Sequence, residues 1–276
     1  MNLFWLALGF LIFFLGSAIG SFLNVLIYRT IREQDWIKAR SVCEHCHHKI
    51  RWYENIPVFS YLFLGGRCAA CKKRIDLIHP LIELLTGSLF LWWYAMGFFF
   101  FKLTAAPLLY IQPLFWLLVS TIFVAILISD LKYQIIPNWS VLLLLFAVIL
   151  YRGILLVTGE MQWLDFIRTV IGTFCLTGFF FSLWLVTKGK GFGFGDVKLA
   201  VPLGLLLGSW QRIVIATFFS FVIGAIVGIV LVLFKKKKFG QTLPFGPFLL
   251  LATGLSLVWG YEIWDEYVKL ILGGGL

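Results

Sequence analysis

The chain has 276 residues, of which 61% are apolar, 18% aromatic and only 13% charged. Soluble domains run near 25% charged and below about 50% apolar, so the composition excludes a soluble globular protein and defines a polytopic membrane protein. The net charge of +10 points to membrane topology rather than nucleic acid, because the basic residues are segregated along the chain.

The first apolar run, Leu3 to Ile27, is too long for a signal-peptide core and lacks a basic leader, so it is read as a retained helix. Further runs of spanning length fall near 81–101, 113–131, 138–157, 166–187, 197–209, 211–234 and 244–264. The expected fold is therefore all-α, with about eight transmembrane helices of some 20 residues each. The sixth is the shortest. Eight crossings put both termini on one side. Eighteen of the 23 Lys and Arg then fall on the other side, and five (Lys102, Arg152, Arg168, Arg212 and Lys269) share the side of the termini. That asymmetry is the positive-inside signature, and it places the termini outside and the long polar loop in the cytoplasm. Three regions follow: a first transmembrane helix over 1–29, a cytoplasmic insert over 30–80 and a membrane-embedded body over 81–276. The run Phe98 to Phe101 reads as lipid-facing bulk. No period of 20–50 residues marks the chain as a repeat array.

The insert carries Cys43-x-x-Cys46 and Cys68-x-x-Cys71, the two pairs separated by the segment His47 to Arg67. Two such pairs are the spacing of a four-thiolate zinc site. A closed tetrahedral shell leaves no open position, so the role is structural. A metal staple suits a short segment with a thin apolar core. Disulfides are the alternative, and a reducing cytoplasm disfavours them. His45, His47 and His48 crowd the first pair, either as substitute ligands or, more simply, as solvated neighbours. Cys175 stands alone in an apolar helix as a small core residue.

The body contains three helix-breaking stretches, at Ile136-Pro137-Asn138, at Gly189 to Gly195, and at Leu243 to Pro247. All three fall on the cytoplasmic side of this topology. Irregular backbone at a membrane is tolerated where it lines a wet cavity or is buried in protein. Two acids stand beside these breaks. Asp130 closes the apolar run Leu114 to Ser129, and Asp196 ends Gly191-Phe-Gly-Phe-Gly-Asp196. A carboxylate at the centre of a membrane helix costs roughly 2.5 kcal/mol or more, which makes each a candidate functional residue. Together they suit acid–base hydrolysis, one ionised carboxylate activating water and its protonated partner donating to the leaving group. Gly193 and Gly195 are expected to shape the backbone at this site. The alternatives are a helix N-cap at Asp196 and, at Asp130, a salt bridge to Lys132 or Lys198 or plain exposure at a helix end. A proton relay in a transporter is the competing use of both acids, although no two-fold internal repeat supports it. Glu83, Glu160, Asp165, Glu262, Asp265 and Glu266 fit less well and read as interfacial.

Five segments in order carry a family resemblance. They are Gly20-Ser-Phe-Leu-Asn-Val-Leu-Ile-Tyr-Arg29, the Cys43–Cys71 insert with Trp52-Tyr-Glu-Asn-Ile-Pro57 and Ser60-Tyr-Leu62, Asp130-Leu-Lys-Tyr-Gln-Ile-Ile-Pro-Asn138, Gly193-Phe-Gly-Asp-Val-Lys198, and Pro244-Phe-Gly-Pro247. In these the chain resembles the type IV prepilin leader peptidase and N-methyltransferase family. The departures are small: Glu44 stands where the family commonly has proline, and His79 where it commonly has tyrosine. The resemblance implies an aspartic endopeptidase of the bacterial inner membrane, with Asp130 and Asp196 as the catalytic pair. It would cut the short basic leader from prepilins or pseudopilins on the cytoplasmic side. The resemblance also implies N-methylation of the new N-terminus with S-adenosylmethionine, an activity associated with the insert. The residues that would hold the methyl donor are unassigned. Glu54, Gly65 and Gly66 are suspects, with a surface carboxylate and a turn as the plainer readings. A peptidase without methylation is the nearest alternative. Expected partners are the prepilin substrate and membrane lipid, and nucleic acid is not expected.

Overall fold

The computed structural model describes residues 3–34, 41–43, 45–100, 108–234 and 243–271. Glu44, Lys235 to Lys238 and the side chains of Phe98 to Phe101 lie outside the described residues. Nine α-helices are described: α1 Leu3–Ile31, α2 Phe59–Phe63, α3 Ile78–Phe100, α4 Leu108–Tyr133, α5 Asn138–Val157, α6 Trp163–Thr187, α7 Phe194–Leu207, α8 Trp210–Leu233 and α9 Gly246–Ile271. A 3-10 turn covers Trp52–Asn55. The fold is all-helical, as the sequence predicts. Six helices (α1, α4, α5, α6, α8 and α9) are long and apolar enough to cross a membrane, so the expected eight spans are not reached among the described residues. The expected span 197–209 corresponds to α7, whose 14 residues reach about 21 Å at 1.5 Å per residue, short of a hydrocarbon core of about 30 Å. The expected span 81–101 corresponds to α3, whose first turns carry the polar residues His79 and Glu83.

The chain forms two compact units, Met1–Ile128 and Ser129–Leu276. In the first, α1 and α3 flank the insert and pack on each other. Their contact is built from small residues. Gly16 and Gly20 on α1 form a Gly-x-x-x-Gly step. A Cβ on Gly16 would lie 2.7 Å from Phe90 Cβ, and one on Gly20 would overlap Thr86. Gly87 on α3 faces Ser17 in the same way. Lipid tails are as apolar as a leucine side chain, so membrane helices associate through such close backbone approach rather than through hydrophobic exclusion.

The second unit is organised around α7. Gly204 lets α7 close on α6, where a Cβ would lie 2.9 Å from Thr173 Cα. The C-terminal end of α7 stops inside the unit, where its last carbonyls require partners. The Arg152 guanidinium, from α5, donates to the carbonyls of Leu205 (3.0 Å) and Leu206 (3.1 Å), and the Thr169 hydroxyl donates to the Gly208 carbonyl (2.8 Å). Gly208 takes φ +75°, and a Cβ there would overlap the guanidinium. A cation at a helix C-terminus is favourable to the dipole as well. Arg152, expected from sequence to be a topology marker, is the cap that lets a short helix end there.

Candidate functional site

Asp130 lies in the last turn of α4. The helix ends by a reversal in which the Gln134 amide, at φ +54°, donates to the Asp130 backbone carbonyl at 2.9 Å. The Ser129 hydroxyl donates to the Ile135 carbonyl at 2.7 Å, which fixes the return path. Pro137 then opens α5 with its φ preset for a helix start. Asp196 is the third residue of α7, not the residue before it. Its Oδ2 accepts the Gly193 amide at 3.3 Å, a carboxylate reaching back to the exposed N–H groups of its own helix start. The alternative of an N-cap therefore gives way to a first-turn acid with a cap-like bond.

Both side chains are buried, Asp130 5% and Asp196 6% exposed, and Asp130 lies within electrostatic reach of Asp196. The Gly246 amide, at the start of α9, faces the Asp130 carboxylate, and a Cβ on Gly246 would lie 2.5 Å from Oδ2. Each acid thus meets the N-terminal end of a helix, which favours negative charge. Asp130 Oδ2 has no hydrogen-bond partner among the described residues. The Ile136 side chain fills the space between the two backbones, with Cβ positions on Gly195 and Gly246 falling 3.3 and 3.4 Å from it. Lys198, one of the alternative salt-bridge partners for Asp130, instead donates to Asn138 Oδ1 at 2.7 Å. Of the two glycines singled out by sequence, Gly193 supplies the amide for Asp196 and Gly195 admits Ile136. Gly246 and Ile136 carry no role in the sequence reading, although each lies within one of its helix-breaking stretches, Leu243 to Pro247 and Ile136-Pro137-Asn138.

The second cluster lies in the insert. The sulfurs of Cys43, Cys46, Cys68 and Cys71 all lie within 4.8 Å of one another. Cys43 Sγ is 3.9 Å from Cys71 Sγ, and Cys46 Sγ is 4.0 Å from Cys68 Sγ. A tetrahedron with metal–sulfur bonds of about 2.3 Å has sulfur–sulfur edges of about 3.8 Å, whereas a disulfide is about 2.05 Å. All four cysteines are free, and together they could hold a metal ion such as zinc.

The two pairs occupy copies of one loop, with Cys43 corresponding to Cys68 and Cys46 to Cys71. Val42 bridges Lys49 as Arg67 bridges Arg74. The Cys43 amide donates to the His48 carbonyl as that of Cys68 does to Lys73, and Ile50 bonds Ser41 as Ile75 bonds Gly66. His47 and Lys72, each directly after the second cysteine, take φ of 56° and 58°. The absence of a long-range period in the sequence therefore conceals a local duplication, marked in the sequence by the cysteines and by the pairs Lys49 and Arg74, Ile50 and Ile75. Backbone amides of Cys71 and Ala70 pull the Cys68 thiol down to about 6. At Cys46 the His48 amide acts in the same direction, but desolvation and the sulfurs of Cys71, Cys43 and Cys68 outweigh it and push the thiol up to about 11. Four crowded sulfurs resist full ionisation without a cation among them.

Glu54 is engaged within the insert. Its Oε2 accepts the Arg51 amide at 2.9 Å and lies 3.5 Å from His48 Nε2. Gly65 and Gly66 form the left-handed turn after α2, with the Tyr61 ring against Gly66. Glu83, expected to be interfacial, accepts the amide of Val58 at 2.7 Å, a β-branched residue held at φ +62°. That bond ties the insert to α3.

A multi-pass helical membrane protein with a thiolate insert and two buried acids facing helix starts is the class defined by these features. Residues 14–96 match the family model described as the bacterial peptidase A24 N-terminal domain, and residues 116–229 match the type IV leader peptidase family. Among curated proteins, the chain is 33% identical to a prepilin leader peptidase/N-methyltransferase of Stutzerimonas stutzeri, over 92% of each chain. It is 32% identical to the protein of that name from Pseudomonas aeruginosa, over 92% of this chain and 91% of that one. With the protein of that name from Aeromonas hydrophila the identity is 34%, over 95% of this chain and 94% of the other. No solved structure matches the chain. The chain belongs to the type IV leader peptidase family, whose members are membrane enzymes.

Proposed function

We propose that the chain is a prepilin leader peptidase and N-methyltransferase of the inner membrane. It cleaves the short basic leader of type IV prepilins or pseudopilins on the cytoplasmic side, through Asp130 and Asp196. The observation that carries this reading is the burial of two acids from separate helices, α4 and α7, within electrostatic reach of each other. In this reading the pair shares one proton, since two like charges brought close together do not both ionise. The ionised carboxylate removes a proton from water as its oxygen attacks the scissile carbonyl. The protonated one gives its proton to the leaving nitrogen as the C–N bond breaks. The proton taken from water restores the pair. The Gly193 and Gly246 amides hold the carboxylates in place during the exchange.

The new N-terminal amine is then methylated. S-adenosylmethionine would supply an electrophilic methyl group, and the family resemblance associates this activity with the cytoplasmic insert. Zinc on Cys43, Cys46, Cys68 and Cys71 would hold the two loops of the insert together. The test is incubation of the purified protein with a prepilin, with and without S-adenosylmethionine, followed by mass spectrometry of the product's N-terminus. Leader loss is expected in both samples, with a further mass gain of one CH₂ only where the methyl donor is present. An intact prepilin in both samples overturns the reading.

The geometry at Gly246 gives a separate prediction. Gly246→Ala puts a methyl group 2.5 Å from Asp130 Oδ2, so the carboxylate must swing away while both acids remain. Cleavage is expected to fall by about 100-fold, the scale of a misplacement of about 1 Å. Thermal melting in detergent should stay near wild type, since the atom displaced is the end of a flexible side chain. Unchanged cleavage would remove Asp130 from the place given to it.

A further inference from the structure

Four phenylalanines from four separate segments of the second unit touch in every pairing. Phe180 is on α6, Phe192 precedes α7, Phe221 is on α8 and Phe245 precedes α9. Their ring centroids are 5.0 to 6.4 Å apart in all six combinations. Phe180 is fully buried. Such pairs contribute beyond simple area burial, and they have preferred geometries. The shortest contact is Phe192 to Phe245, 5.0 Å and edge-on at 72°. Each of these two residues directly precedes a glycine whose amide faces an acid: Phe192 precedes Gly193, which serves Asp196, and Phe245 precedes Gly246, which serves Asp130. The peptide after each ring is thus the peptide that holds a carboxylate.

We infer that this ring cluster sets the separation of the two acids, with Phe192 and Phe245 as positioning residues for the peptidase reaction. The inference rests on the reading of Asp130 and Asp196 as the catalytic pair. The acids themselves repel, and the Ile136 side chain is the other bridge between the loops that hold them. A ring pair with a preferred distance and angle is a stiff spacer between two loop backbones, and Phe180 and Phe221 hold it against α6 and α8. Loosening it lets the acids drift apart. Their mutual influence then weakens, and the two proton dissociations of the pair move closer together.

The experiment is a pH profile of prepilin cleavage for wild type, Phe192→Ala, Phe245→Ala and the double variant. Phe192→Tyr, which keeps the ring, and Phe192→Leu, which keeps most of the apolar bulk, are measured alongside. Leu144→Ala serves as a destabilised control, since Leu144 is fully buried on α5 and outside the cluster. Expected is a fall in kcat of roughly 10- to 100-fold for either alanine variant, with little change in KM. The acidic and basic limbs of the profile should converge, because their separation reports the coupling of the two acids. The double variant should lose little more than either single one, since both remove the same contact. Phe192→Tyr should restore the limbs and Phe192→Leu only part of kcat. Limbs that stay at wild-type positions in both alanine variants, or that move as far in Leu144→Ala, overturn the inference. A failure of the underlying reading looks different: Asp130→Asn would then cleave normally, whatever the phenylalanine variants do.

Discussion

Asp130→Asn and Asp196→Asn, made singly, are each expected to abolish leader cleavage, with kcat falling about 10⁴-fold or more, while the purified proteins melt at or above the wild-type temperature. The size follows from the mechanism. General acid–base transfer contributes about 10² to 10⁴ by itself, and groups that act as a unit lose nearly everything when one is removed. Asparagine keeps the shape and removes the proton exchange. The sign on stability separates this from the structural alternative. If Asp196 served only as a helix-start partner for the Gly193 amide, asparagine would serve nearly as well, and cleavage would survive. A buried acid beside a second acid is a cost to the fold, so its neutralisation relieves strain held for function. The measurements are leader removal by mass spectrometry and melting in detergent. Substantial cleavage by either variant would falsify the catalytic assignment.

The sequence and the structure agree most closely where chemistry is local. The four cysteines could be read as one cluster because Cys-x-x-Cys spacing confines each pair of sulfurs to a single loop, leaving only the meeting of two loops to the fold. The helices could be read from their apolar runs, since spanning length and composition are direct consequences of the bilayer. The described residues do not reach the expected count, and α7 shows one reason. Val197 to Leu207 is apolar enough to resemble a span, but its end is decided by Arg152, far back on α5, donating to the Leu205 carbonyl. No pattern within α7 reveals that cap. The pairing of Asp130 with Asp196 was legible as a motif and by resemblance, whereas the way the acids are held was not. Gly246 approaches Asp130 from the start of α9, and the Phe192–Phe245 contact links the loop before α7 to the loop before α9. Such long-range contacts leave only generic traces in the sequence, a glycine after a phenylalanine in each case. The duplicated loop of the insert was hidden for a related reason. Beyond the cysteines and the pair Ile50 and Ile75, its copies share hydrogen bonds and positive φ angles at His47 and Lys72 rather than side chains.

Removal of the metal is expected to unfold the insert while leaving the membrane body folded. The apolar residues of the insert cannot hold it alone: Trp52 is 81% exposed, Leu62 67% and Phe63 87%. Its order rests on two short loops, each closed by a bridge pair, on the bond from Val58 to Glu83 and on the ring contact of Phe59 with Phe10 of α1. Structural zinc in comparable small sites is worth on the order of 10 kcal/mol or more of folding free energy, far beyond what such loops supply. Cys68→Ser, at the most buried of the four sulfurs, or treatment with a strong chelator, should therefore open residues 41–75 to limited proteolysis. Bound zinc measured by atomic spectroscopy should fall from one per chain toward none. Acid should act in the same direction, since protons compete with the metal for thiolates. Methylation is expected to fall at least tenfold, with cleavage by Asp130 and Asp196 reduced much less, because those acids are held by α4, α7 and α9 and lie in the other unit. Equal loss of both activities would mean that the insert also serves the peptidase. A chain that keeps its protease resistance with no zinc bound would mean that the four sulfurs are not its staple.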